Sequence, residues 1–346
     1  MALNQVGLER LGDPVTKKIG TNKNIIINGA MQVAQRGTSS TSEGYQTVDR
    51  LTVDTNGVDE APTYAQVDVA SGTTPYTLGF RKAFKVTNGN QTSGAGATDY
   101  IQITTRLESQ DIANSGWNYT STSSFITLSF YVKSSVAQVF SGGLRTFDSP
   151  SYQYKFDTPS LSADTWTKVT KTISGNSNLV FNNDNGRGLD INLFPFIGTT
   201  YTTANGDTET WVAASSANFA NDMTSTWYTT NDATFEITGV QLEVGSVATD
   251  FEFKSIGQEL ALCQRYYTSG DDKVGTTSYP SSDGYARGWY SFKVNMRGTP
   301  TMTFSDGGTG GSKIADGISN KGFYATYGSL SASQAGTYSW TATAEL

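Results

Sequence analysis

The chain has 346 residues with a net charge of −7, and only 16% of them are charged while 12% are aromatic. That balance excludes a disordered chain, which lacks apolar surface to bury, and a nucleic-acid binder, which needs a basic stripe that is not found here. Histidine is absent and cysteine occurs once, at Cys263. These counts exclude His-dependent nucleophile systems, His-ligated zinc and an intramolecular disulfide.

In chain order, residues 1–24 form an arm. Its apolar residues Val6, Leu8, Leu11, Val15 and Ile19 are too sparse for a core. Their persistence points to a docking peptide. From residue 25 to 254 the pattern is β, and Ile25-Ile26-Ile27 reads as a strand ended by the Asn28-Gly29 turn. Phe125 to Val132 alternates, with Ile126, Leu128, Phe130 and Val132 on one face. A second run from Trp166 sends Val169 and Ile173 inward, and Leu189, Ile191 and Leu193 alternate with Asp190 and Asn192. Phe130 and Trp166 read as core rings. Such a density of strands without helical periods predicts antiparallel sheets packed as a sandwich.

Residues 255–267 read as a connector helix with a capping box from Ser255 to Gln258. Ile256, Leu260, Cys263 and Tyr267 share its apolar face, and Cys263 reads as a buried structural thiol. Residues 268–346 return to β as a small domain with long Gly/Ser/Asp loops. Tyr290, Phe292, Val294 and Met296 read there as one face of a strand. The fold class is therefore all-β, with two β regions joined by one helix. No apolar run is long enough for a membrane span or a signal peptide.

Three acidic groups have the local density of a glycosidase pair: Asp184 and Asp190 beside Arg187, Asp207 with Glu209, and Asp271 with Asp272. All sit in turn-like sequence and read as solvated loop charges, so no catalytic residue is assigned. Asn182 to Gly186 is oxygen-rich, as calcium loops are, but lacks the EF-hand glutamate; no cofactor is assigned. Tyr279, Tyr285, Trp289, Tyr324 and Tyr327 lie beside Gly, Ser, Asp and Arg residues. A flat ring flanked by hydrogen-bonding groups suits the C–H faces and hydroxyl edges of a sugar.

Asn24 to Gly37 (NIIINGAMQVAQRG), with Tyr45 to Leu51 (YQTVDRL), resembles a segment of phage tail-fibre and other virion structural proteins. Gly239 to Tyr267 (GVQLEVGSVATDFEFKSIGQELALCQRYY) resembles another, with Lys254 in place of the usual Arg. Matches at Phe125 to Ser135, Trp166 to Gly175, Met296 to Pro300 and Trp340 to Leu346 extend the resemblance over nearly the whole chain. It implies a jelly roll akin to carbohydrate-binding modules, followed by the small β domain, and it admits a structural calcium. It also implies a virion protein assembled in the host cytoplasm: a tail fibre or receptor-binding protein, or alternatively a capsid-attached fibre or decoration. The expected partners are other virion proteins through residues 1–24, two further copies in a homotrimer, and host surface glycan met by residues 268–346. A polysaccharide-degrading enzyme is the reading from a different class.

Overall fold

The computed structural model describes residues 23–203, 206–270, 273–274, 286–306, 313–327 and 336–346. The first β region holds β1 (Ser39–Ser40), β2 (Leu51–Asn56), β3 (Thr63–Asp68), β4 (Lys82–Thr87), β5 (Tyr100–Glu108), β6 (Phe125–Ser134) and β7 (Ser141–Thr146). It continues with β8 (Tyr152–Asp157), β9 (Thr167–Ser174), β10 (Arg187–Ile197), β11 (Thr202–Thr203), β12 (Trp211–Ala213), β13 (Ala220–Asn221) and β14 (Thr234–Val244). Two six-stranded sheets result, in the orders β1-β3-β4-β14-β6-β9 and β12-β8-β7-β10-β5-β2. Their ladders are antiparallel, and the chain crosses repeatedly from one sheet to the other, which makes a jelly-roll sandwich.

Alternation accounts for the core. Ile126, Leu128, Phe130 and Val132 all face the opposing sheet and are buried, as are Val169 and Ile173. Leu189, Ile191 and Leu193 meet them from β10. Trp227 and Tyr228 close one end, Tyr228 stacking on Phe196 with centroids 4.4 Å apart. Trp166 does not join this core. It precedes β9, is half-buried, and packs with Phe80 and Phe251 on the outside of the first sheet, under the Lys133 ammonium.

Ile25 to Ile27 forms no strand ladder. The segment follows β14 through single bonds, Ile25 N to Leu242 O at 2.9 Å and Val240 N to Gly29 O at 2.9 Å. A bulge in β14 between Thr238 and Gln241 breaks the regular spacing that a ladder needs. Gly29 makes the approach possible, since a Cβ there would lie 2.0 Å from Val240 O. The turn expected at Asn28-Gly29 is present, with Asn28 at φ 60 and its side chain donating to Val33 O and Asp49 O.

The helix spans Ile256–Gln264 and carries the full capping box. Its buried side matches the apolar face read from sequence only in part: Cys263 is buried as expected, but Ile256 is 58% exposed, and Glu259 and Gln264 are buried instead. Glu259 turns inward because its carboxylate accepts the Asn28 N–H, and Tyr267 already belongs to the next strand. Among the described residues no helix is long and apolar enough to cross a membrane.

The remaining strands are β15 (Tyr267–Gly270), β16 (Lys273–Val274), β17 (Ala286–Ser291), β18 (Thr301–Asp306), β19 (Lys313–Ser319), β20 (Gly322–Tyr327) and β21 (Gly336–Thr343). β21 pairs with β15, β16 and β18, while β20 lies between β17 and β19. Phe292, Met296, Phe323, Trp340 and Ala342 form their shared core. The strand expected through Met296 stops at Ser291. Beyond it, Phe292 N and Met296 N bond the Lys321 and Asn320 carbonyls, so the chain wraps a turn while Phe292 and Met296 stay buried.

Candidate functional site

Two of the five rings expected to contact ligand meet on the sheet β17-β20-β19. Trp289 and Tyr324 are cross-strand partners with centroids 4.8 Å apart and planes at 64°. The next register pair, Tyr290 and Phe323, points to the other face, where Phe323 is buried against Trp340. Trp289 and Tyr324 therefore remain in solvent, 45% and 44% exposed.

Glycines determine how these rings lie. A Cβ on Gly322 would fall 2.8 Å from Trp289 Cζ2, and one on Gly317 would fall 3.0 Å from Tyr324 Cδ2. Each ring thus occupies the space a neighbouring side chain would fill, and the two meet edge to face. Trp289 Nε1 donates to Ser291 Oγ at 2.9 Å, which fixes the indole edge. Asp316 stands opposite Tyr324 in register. The result is a held apolar platform bordered by hydroxyl and carboxylate groups.

Tyr327 ends β20 opposite Ala286 and Lys313. Tyr279 and Tyr285 lie outside the described residues, as do Val6, Leu8, Leu11, Val15 and Ile19.

The motif residues that carry the resemblance gather elsewhere, where the sandwich meets the C-terminal strands. Glu345 pairs with Arg36 at 2.9 Å and with Arg50. Arg36 lies 3.7 Å over the Tyr267 ring, and Arg50 lies 3.4 Å over that of Tyr266. Burial alone would pull the Arg50 pKa down, yet Glu345 beside it pushes it above its ordinary value. Gln35 bonds both Asp49 and the Tyr267 carbonyl. Arg265 grips Glu108 through two bonds of 2.8 Å, and Tyr266 adds a third. Burial works against the charged Glu108, but these donors hold its pKa below the usual range. Every one of these groups is engaged by another, so this junction is a fastening between the two β regions.

The acidic candidates divide. Asp190 is not a solvated loop charge: it is 1% exposed on β10 and takes Arg187 through both carboxylate oxygens. It sits there because the outer face of its sheet is itself polar and covered, with Gln153, Lys155 and Asn192 equally buried. Asp184 accepts Gly186 N within its own turn. Glu209 pairs with Lys171 at 2.6 Å, and Asp207 is two residues away. Asp271 and Asp272 lie outside the described residues. The Asn182–Gly186 loop uses its oxygens on protein donors, Asn183 Oδ1 taking Asn114 and the Asn185 carbonyl taking Arg297. No group of three or more acidic or cysteine side chains placed for a metal ion occurs among the described residues.

No family model matches the chain, and no curated protein matches it in sequence. Solved structures do resemble it. The enzymatically active domain of bacteriophage CBA120 tailspike protein 4 aligns at 10% identity over 64% of this chain and 22% of that one, with a TM-score of 0.35. This chain thus spans about a fifth of that domain. A CBM4 structure aligns at 12% identity over 63% of this chain and 98% of its own, TM-score 0.32. TmCBM61, solved with β-1,4-galactotriose, aligns at 7% identity over 65% of this chain and 99% of its own, TM-score 0.29.

Proposed function

We propose that this chain is a structural protein of a bacteriophage particle, a tail fibre or receptor-binding protein, that recognises host surface glycan and performs no catalysis. The observation that carries the glycan reading is the Trp289–Tyr324 platform. Two adjacent rings left in water lose the gain that burial would bring, and a ligand with an apolar face restores it. The hydroxyl and carboxylate groups beside them suit the polar edges of a sugar. The virion reading rests on the motif resemblance, whose residues build the Arg36–Arg50–Glu345 junction. The segment before Asn24, a residue that is itself buried and bonded to Val240 and Leu242, serves as the particle-docking arm, and three copies associate, covering part of the aromatic-rich surface.

The test is binding to an array of bacterial surface polysaccharides, read for wild type and for the double variant Trp289→Ala/Tyr324→Ala. Wild type should bind at least one glycan, and the variant should lose about tenfold or more in affinity. Both rings are exposed, so the melting temperature should hold; equal binding by the variant overturns the site. Monitoring the same incubations for new reducing ends separates a binder from a polysaccharide-degrading enzyme. Light scattering should give about three times the 37.1 kDa chain mass, and a monomer at micromolar concentration overturns the trimer.

A further inference from the structure

The sandwich carries an open groove of about 490 Å3 on its rim, where the free edge of β9 runs beside the end of β8. Asp157, Thr158, Lys168, Lys171, Thr208 and Glu209 line it. Its volume lies in the range of small-molecule sites, roughly 300–1,000 Å3. Nothing assigned to the aromatic platform touches it.

One wall is backbone. Gly175 N bonds Ser124 O, and the register continues by twos through Ile173 and Val169, so these residues direct their peptide groups to β6. Lys168 and Thr170 therefore turn an N–H and a C=O each toward the groove. Ser174, of the same parity, shows this outward direction, since its carbonyl accepts Trp211 Nε1 at 2.8 Å. Val169 borders the groove, yet its side chain is 1% exposed and faces the core, so it contributes backbone alone.

The opposite wall is a constrained turn. Asp207 and Glu209 both adopt left-handed backbone, φ 61 and 56, a conformation uncommon for residues other than glycine. Glu209 N donates to Lys155 O at 2.8 Å, and its carboxylate reaches across to Lys171.

The chemistry narrows the occupant. Pro159 is the one exposed apolar side chain on the lining and no aromatic ring joins it, so the groove offers no deep apolar anchor for a peptide. Strand addition along β9 is opposed by Lys171, which shares the inward parity of Val169 and Ile173 and is bridged to Glu209. Two lysines balance two carboxylates, so no net charge selects an ionic ligand. Hydroxyls, carboxylates, ammonium groups and free peptide groups together match a polyhydroxylated, uncharged molecule.

We infer that this rim groove is a second glycan site of the chain, taking a neutral oligosaccharide segment independently of Trp289 and Tyr324. The inference rests on the reading that the chain binds glycan. Its test uses the full chain and defined neutral tetrasaccharides of glucose, galactose and mannose, titrated calorimetrically. The variants are Glu209→Gln, which removes the carboxylate charge paired with Lys171, and Lys168→Ala, which alters only an exposed side chain. At least one tetrasaccharide should bind the Trp289→Ala/Tyr324→Ala protein, and each groove variant should weaken that binding about tenfold. If groove variants bind every tetrasaccharide as wild type does, the groove inference falls while the platform stands. If wild type binds none of these tetrasaccharides, the groove inference falls, and the polysaccharide array decides separately on the platform.

Discussion

Arg50 and Glu345, separated by 295 positions in the chain, form an ion pair in which the side chains are 2% and 7% exposed. The guanidinium lies against Tyr266, and the same carboxylate also holds Arg36. A buried charge deprived of its partner keeps its desolvation penalty and loses the attraction that offset it. Glu345→Ala should therefore destabilise the protein by about 3–5 kcal/mol. Chemical denaturation followed by fluorescence reads this, and an unchanged midpoint would show that the junction contributes nothing.

Asp111 supplies a pH signature near the same junction. Burial, and then the charge of Glu108, push its pKa from 3.8 to about 6. The folded state thus binds a proton more tightly than the unfolded chain does. Stability from this group is full below pH 3.8 and declines as pH rises toward about 6. Asp111→Asn should remove this decline and stabilise the protein at pH 7 by about 1–2 kcal/mol. Melting curves at intervals across the window check the slope for both proteins.

Gly322 is the floor of the aromatic platform. A methyl group there would lie 2.1 Å from Tyr290 O as well as 2.8 Å from the Trp289 ring. Gly322→Ala should separate β17 from β20 locally, cost about 1–3 kcal/mol, and shift Trp289. Glycan affinity should fall with it, measured beside the melting temperature.

Cys263 is fully buried, and burial raises its thiol pKa well above the ordinary value. A thiol-specific reagent should leave the native protein unmodified and react with this single cysteine once denaturant is added. Rapid reaction in native buffer would mean that the helix Ile256–Gln264 opens readily.

Local periodicity alone was sufficient for much of this architecture. The alternation from Ile126 to Val132 assigns an inward face because side chains in a strand point to opposite sides at every step, whatever they pack against. The Ser255–Gln258 capping box is likewise a local device, and it formed as read. Trp289 and Tyr324 were legible as candidate rings from their polar neighbours, though nothing local said they would be cross-strand partners. What tertiary structure decided is wherever a residue's environment comes from distant chain. Ile256 lost the buried face of its helix to Glu259 because Asn28, 231 positions away, offers that carboxylate a donor. Asp190 is buried because its sheet is covered on both faces, which a strand's own pattern does not report. The rim groove arises where three separated segments, at Asp157, Lys168 and Glu209, come together, and the Arg50–Glu345 pair joins the two β regions. Periodicity encodes which way a side chain points; only the completed fold determines what stands opposite it.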